Sequence, residues 1–135
     1  MTVDVRWYDD AQTIVLYTFH PKWTWEDFYP AFEKALAMEH SKPYRVDVII
    51  DYGEPYMVPI GLIENLRQIT SKQPQTLDLT VVASHHQMAV MMIRVASNII
   101  PVIRDHFRVA PTVQDAYRII QQDRQNEAAG AIGGC

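Results

Sequence analysis

The stretch RVDVIID, residues 45–51, decides the fold. Val46, Val48, Ile49 and Ile50 make a nearly continuous apolar run, the pattern of a strand covered on both faces. The break SKPY, residues 41–44, precedes it, and Asp51 closes it. A doubly covered strand belongs in an α/β sheet with crossover helices.

Upstream, VDVRWYD alternates, with Val3, Val5 and Trp7 on one face. Asp9 and Asp10 follow, then TIVLYTF, so the chain opens with a β-hairpin. Thr24 is a helix cap with Asp27 three residues on. Trp25, Phe28, Phe32, Ala35 and Leu36 recur at helical spacing through about His40. Of the surrounding aromatics, Trp23 and Tyr29 are expected to be more exposed.

Downstream, VPIGLIENLRQI, residues 58–69, opens a second helix with the stripe Leu62, Ile63, Leu66 and Ile69, closed by Gln73 and Pro74. Pro59 stands where a missing N–H is tolerated, and Gly61 permits close backbone approach. LDLTVVA is a fourth strand. Ser84, with Gln87 three residues later, fits a capping box for a helix from about His86 to Ile99, with Pro101 as its limit. HFRVA is a fifth strand, and PTVQDAYRIIQQD a last helix capped by Thr112. The expected order is β-β-α-β-α-β-α-β-α: a five-stranded mixed sheet with four helices, one domain over residues 1–123, and a frayed tail over 124–135.

The chain has 135 residues, 48% of them hydrophobic, enough for one buried core. A net charge of −4 and no basic stripe argue against nucleic acid as the partner. No apolar run is long enough for a transmembrane segment, and no secretory leader is evident. The one cysteine, Cys135, allows no internal disulfide, so a cytoplasmic location is expected. No dinucleotide or P-loop glycine pattern occurs, and nothing calls for a cofactor.

VDVIIDYGE, IGLIENLRQI, LTVVAS and APTVQDAYRII, in that order, resemble the SpoIIAA-like, or STAS-like, family over roughly residues 3–121. The resemblance implies that fold and a binding or regulatory role. In the signalling branch, an Asp-Ser-Ser/Ala-Gly-Leu motif at the second helix carries the phosphoacceptor serine. Here Gly61 and Leu62 keep their places, but Val58 stands at the Asp place and Pro59 at the acceptor place, so that switch is missing. For the branch without the motif, the resemblance implies ligand or lipid binding.

Parallel pairing brings the ends of the third and fourth strands together. Asp51, Tyr52, Glu54 and Tyr56 are therefore expected to face Ser84, His85 and His86, and these, with Gly61 at the second helix start, are the candidate ligand- or partner-binding residues. An Asp beside a His can orient a base, and a Ser can act as nucleophile, so a small hydrolase or a metal-assisted enzyme is the alternative. Against it, Ser84 serves as a cap, no zinc-type spacing occurs, and no metal site is assigned. Asp51 equally suits capping of loop N–H groups.

The helix HQMAVMMIRVASNII carries a wide apolar arc, with Met88, Met91, Met92, Val95 and Ile99 as candidate interface residues. It leaves three readings: burial under neighbouring helices, a homodimer or protein-partner surface, or a lipid contact. Trp23, Tyr29, Tyr52 and Tyr56 are candidate walls of a pocket for a small apolar ligand.

Overall fold

The computed structural model describes residues 2–53, 55, 57–72 and 77–133, with side chains described for all of these but 77, 78 and 130–133. Five strands form one sheet: β1 (Val3–Trp7), β2 (Ile14–Phe19), β3 (Val46–Asp51), β4 (Leu77–Ala83) and β5 (Phe107–Ala110). The helices are α1 (Trp25–His40), α2 (Leu62–Lys72), α3 (Gln87–Ile99), α4 (Pro101–His106) and α5 (Val113–Gly133). The expected closure of α2 at Gln73 and Pro74 lies outside the described residues.

The strands lie in sequence order, β1-β2-β3-β4-β5, with β1 antiparallel to β2 and every later pair parallel. Right-handed crossovers that step repeatedly in one direction put their helices on one face of the sheet. Accordingly, α1 lies against β1 and β2, while α3 and α4 lie against β5. The helix after the last strand, α5, crosses the opposite face. There Ala116 and Ile120 close over Ile14, Leu16, Ile49, Leu79, Val81 and Ala83.

Local chemistry explains the ends of several elements. Asp9 Oδ1 accepts from the N–H groups of Thr13 (2.8 Å) and Ile14 (3.0 Å), fixing the expected hairpin turn. Thr24 and Asp27 form a full capping box on α1. Thr112 Oγ1 accepts from the Asp115 N–H at 3.0 Å at the start of α5.

Five helices replace the four expected. Pro101 ends α3 but also starts α4 at its first position, because its missing N–H is an unpaired position there in any case. Where a tail is expected from residue 124, α5 continues to Gly133. Arg124 and Glu127, in that stretch, are engaged with Asp47 and Arg45. Trp23 is buried rather than exposed, because its indole packs against Phe19 and Tyr52.

Asp47 is fully buried on the α5 face. The pairing of β3 with β4 skips one residue here, from Val46↔Leu77 to Val48↔Thr80. Asp47 Oδ1 accepts from the Leu79 N–H at 3.0 Å, satisfying a donor at this irregularity. Its carboxylate also accepts from Arg45 Nε (3.0 Å) and Arg124 Nε (2.8 Å). Burial pushes the Asp47 carboxyl up, and the two guanidinium groups pull it back. Arg124 also donates to the Thr13 carbonyl at 2.9 Å, so α5 is tied to β2, β3 and β4 together. Asp47→Ala is expected to destabilise the fold by about 3 kcal/mol in urea titration, because it strands buried donors. A loss near zero would mean the network behaves like a surface ion pair.

Candidate functional site

On the helical face, α1 covers β1 and β2, and α3 and α4 cover β5. Between them, over β3 and β4, lies a cavity of about 90 Å³. Val48, Ile50, Thr80 and Val82 form its floor. Phe28, Phe32 and Glu39 of α1, together with Ala89, Met92 and Ile93 of α3, form the walls. Leu62, Leu66 and Ile69 of α2 roof it. A space of this size holds several waters or a small apolar molecule.

The roof is anchored by aromatic side chains. Trp25 Nε1 donates to the Ile60 carbonyl at 2.9 Å. The Tyr29 hydroxyl donates to Asn65 Oδ1 and lies 3.1 Å from Gln68 Oε1, joining α1 to α2. Trp23 Nε1 donates to the Tyr52 hydroxyl at 2.7 Å, and that hydroxyl donates to the Met57 carbonyl. Burial pushes Tyr52 up to about 12, against the opposing effect of the Trp23 bond, so it stays a neutral donor. Gly61 has a φ of +98°, and its carbonyl accepts the first helical N–H, from Asn65 at 3.0 Å. An added Cβ would meet Asn65 Nδ2 at 3.1 Å, so both conformation and space select glycine.

Of the expected pocket residues, Trp23 and Tyr52 line the cavity, whereas Tyr29 lies beside it, between α1 and α2. Glu54 and Tyr56 lie outside the described residues. Asp51 ends β3 beside Ala83, and its Oδ1 accepts from the Gly53 N–H at 3.2 Å, a turn-capping contact. Ser84 is buried, but its hydroxyl accepts from the His86 N–H at 3.1 Å rather than forming a capping box with Gln87. The cap of α3 is His86, whose side chain makes no capping bond. His85 is exposed. No hydrogen bond or ion pair among the described residues joins Asp51 to either histidine. Among the described residues, no three or more His, Cys, Asp or Glu side chains gather in a metal-holding group.

The apolar arc of α3 divides. Ala89 and Ala96 are buried, while Met92 and Ile93 are half-buried and face the cavity. Met88 (57%), Met91 (57%), Val95 (53%) and Ile99 (46%) stay exposed. Met88, Met91, Met92 and Val95 form a groove with Gly61, Leu62 and Ile63, and the side chain of Ile60 beside it is almost wholly exposed. No helix among the described residues is long and apolar enough to cross a membrane.

Two polar residues of the cavity went unsingled in the sequence. Glu39 is 3% and Thr80 1% exposed, and neither Glu39 Oε2 nor Thr80 Oγ1 has a protein partner. Glu39 continues the buried α1 face past Phe32 and Leu36, so helical spacing from that stripe was the available signal. Burial raises its carboxyl from an ordinary 4.5 to about 7. Tyr17, also on the cavity wall, is pushed well above its usual value by burial and by Glu39.

Comparison with family models, with curated proteins and with solved structures returns no match.

Below about pH 4.5, Glu39 is protonated in both folded and unfolded chains and contributes no pH dependence. Between pH 4.5 and about 7 the unfolded chain ionises first, so its stability contribution falls as pH rises and is lost above 7. Glu39→Gln, which cannot ionise, is therefore expected to gain on the wild type across that interval, by ~3 kcal/mol once above it. Urea titrations of both proteins at several pH values read this directly. Parallel stability curves would mean that Glu39 ionises normally.

Proposed function

We propose that this protein is a non-catalytic binding domain of the SpoIIAA-like, or STAS-like, kind, which holds a small apolar ligand in the cavity beneath α2. The observation that carries the reading is the cavity itself, walled almost entirely by aromatic and aliphatic side chains and set between the sheet and three helices. Largely apolar hollows with few polar groups are the usual form of small-molecule sites. The strand order, with one antiparallel edge strand and helices crossing one face, supports the family reading. With Pro59 at the acceptor place, the domain works by occupancy rather than by serine phosphorylation there. The expected compartment is the cytoplasm.

The ligand enters beneath α2, which is fastened to α1 through the side chains of Trp25 and Tyr29. Native mass spectrometry of the protein purified gently from its own cells is expected to show a retained small molecule. Ala89→Leu, which extends a side chain into the cavity, is expected to lose that mass and to weaken toluene binding by about tenfold, while the circular dichroism spectrum is unchanged. Toluene binding that is absent in the wild type, or unaltered by the substitution, would overturn the cavity reading.

A second reading rests on the exposed stripe of α3. Met88, Met91, Val95 and Ile99 make a contiguous apolar surface, and flexible methionines suit contacts that re-pack. It assigns this face to a protein partner, with a second copy of the chain the first to test. Val95→Glu is then expected to convert a wild-type dimer into a folded monomer in sedimentation equilibrium. A wild type that stays monomeric at all concentrations would refute self-association.

A further inference from the structure

The cavity is largely apolar. Glu39, on the α1 wall, and Thr80, on the β4 floor, both line it with buried oxygens that no protein group satisfies. A buried polar atom without a partner is unfavourable, and two around one hollow are unusual in a well-packed core. Other polar groups about the site are matched: Tyr52 with Trp23 and Met57, Trp25 with Ile60, Tyr29 with Asn65 and Gln68. The two residues that carry unmatched atoms both line the cavity.

We propose that Glu39 and Thr80 form a polar anchor that selects a small, uncharged apolar molecule carrying a hydroxyl group. This rests on the reading of the cavity as a ligand site. A hydroxyl has one donor and two lone pairs, so it can donate to Glu39 Oε2 and accept from Thr80 Oγ1. It also fits either protonation state of Glu39, whose carboxyl titrates near neutrality. A protonated carboxyl donates to the ligand oxygen, and an ionised one accepts from it.

Charged heads fit less well. Among the described residues, no Lys, Arg or His lines the cavity, so a carboxylate or phosphate would be buried beside Glu39 without a counter-charge. An ammonium brings three donors and no acceptor, more than these two oxygens satisfy, and it requires Glu39 to be ionised. Tyr17 and Tyr52, the other titratable groups in the described lining, are held neutral by burial and add no charge.

Phenol and toluene test the anchor, because they differ by a hydroxyl in place of a methyl group. Titration calorimetry gives the ratio of their affinities for the wild type, Thr80→Val and Glu39→Met. Both substitutions replace a buried unpaired polar group with an apolar one of similar size, a change that folded proteins usually tolerate. The expected result is a phenol-to-toluene ratio that falls by about tenfold in each variant, with toluene binding retained. Binding of both probes with a ratio unmoved by either substitution would overturn the anchor and leave the cavity reading standing, as when water alone serves these atoms. Binding of neither probe to the wild type would remove the cavity reading and the anchor with it. Benzylamine or benzoate binding more tightly than phenol would overturn the assignment to an uncharged head.

Discussion

One buried carboxylate connects the two layers of this fold. Asp47 accepts from the Leu79 N–H where β3 and β4 fall out of step, and from the guanidinium groups of Arg45 and Arg124. Arg124 reaches it from α5, which crosses that face of the sheet. A charge in such a place is tolerated only when its partners are held in position. The carboxylate therefore couples strand register, the position of α5 and the start of β2, and the opposite face is built on the resulting platform. There the floor residues Val48 and Thr80 form the first pair after the irregular step between β3 and β4.

The cavity follows from topology as much as from side chains. Strands in sequence order require their crossover helices to march across one face. The outer helices close on the edges of the sheet, α1 on β1 and β2, and α3 with α4 on β5. Over the middle strands the covering element is α2, which carries only Leu66 and Ile69 as buried residues. Besides the packing of these residues, a hydrogen bond from Tyr29 to α2 and one from Trp25 to the Ile60 carbonyl just before it secure the helix. A roof fastened at its edges over a thinly filled centre leaves room that a larger helix face would have taken.

Much of the architecture was legible in period and punctuation. The β2 and β3 runs, the Thr24–Asp27 box and the Thr112 cap all act locally, so the sequence displays them directly. What escaped depends on partners distant in the chain. Pro101 looks the same whether it closes a helix or opens the next. The segment after residue 123 reads as a frayed Gly/Ala-rich tail, because the groups that hold Arg124 and Glu127 lie far back at residues 13, 45 and 47. Trp23 is buried by Phe19 and Tyr52, which no local pattern brings to it. Among the candidate site residues, Tyr52 was placed at a pocket that it does line. Asp51 and Ser84 instead spend their oxygens on nearby backbone. Helical spacing signals the burial of Glu39, but not that Glu39 and Thr80 lack partners: an unsatisfied atom is a property of the folded surroundings, not of the residue.

Met92 brings the two proposed surfaces into one account. Its side chain lines both the cavity and the outer groove between α2 and α3. Leu62, at the start of α2, does the same. A ligand that moves either residue changes the shape of the groove as well as the hollow, and any occupant of the groove constrains the roof. Linkage makes such an effect reciprocal: whatever a ligand does to partner affinity, the partner does to ligand affinity. Methionine suits this position because its unbranched, polarizable chain re-packs at low cost, whereas a β-branched residue would hold one rotamer. The wide apolar arc of α3 thus need not be assigned wholly to core or wholly to interface. One edge faces inward, the other outward, and the residue between them serves both.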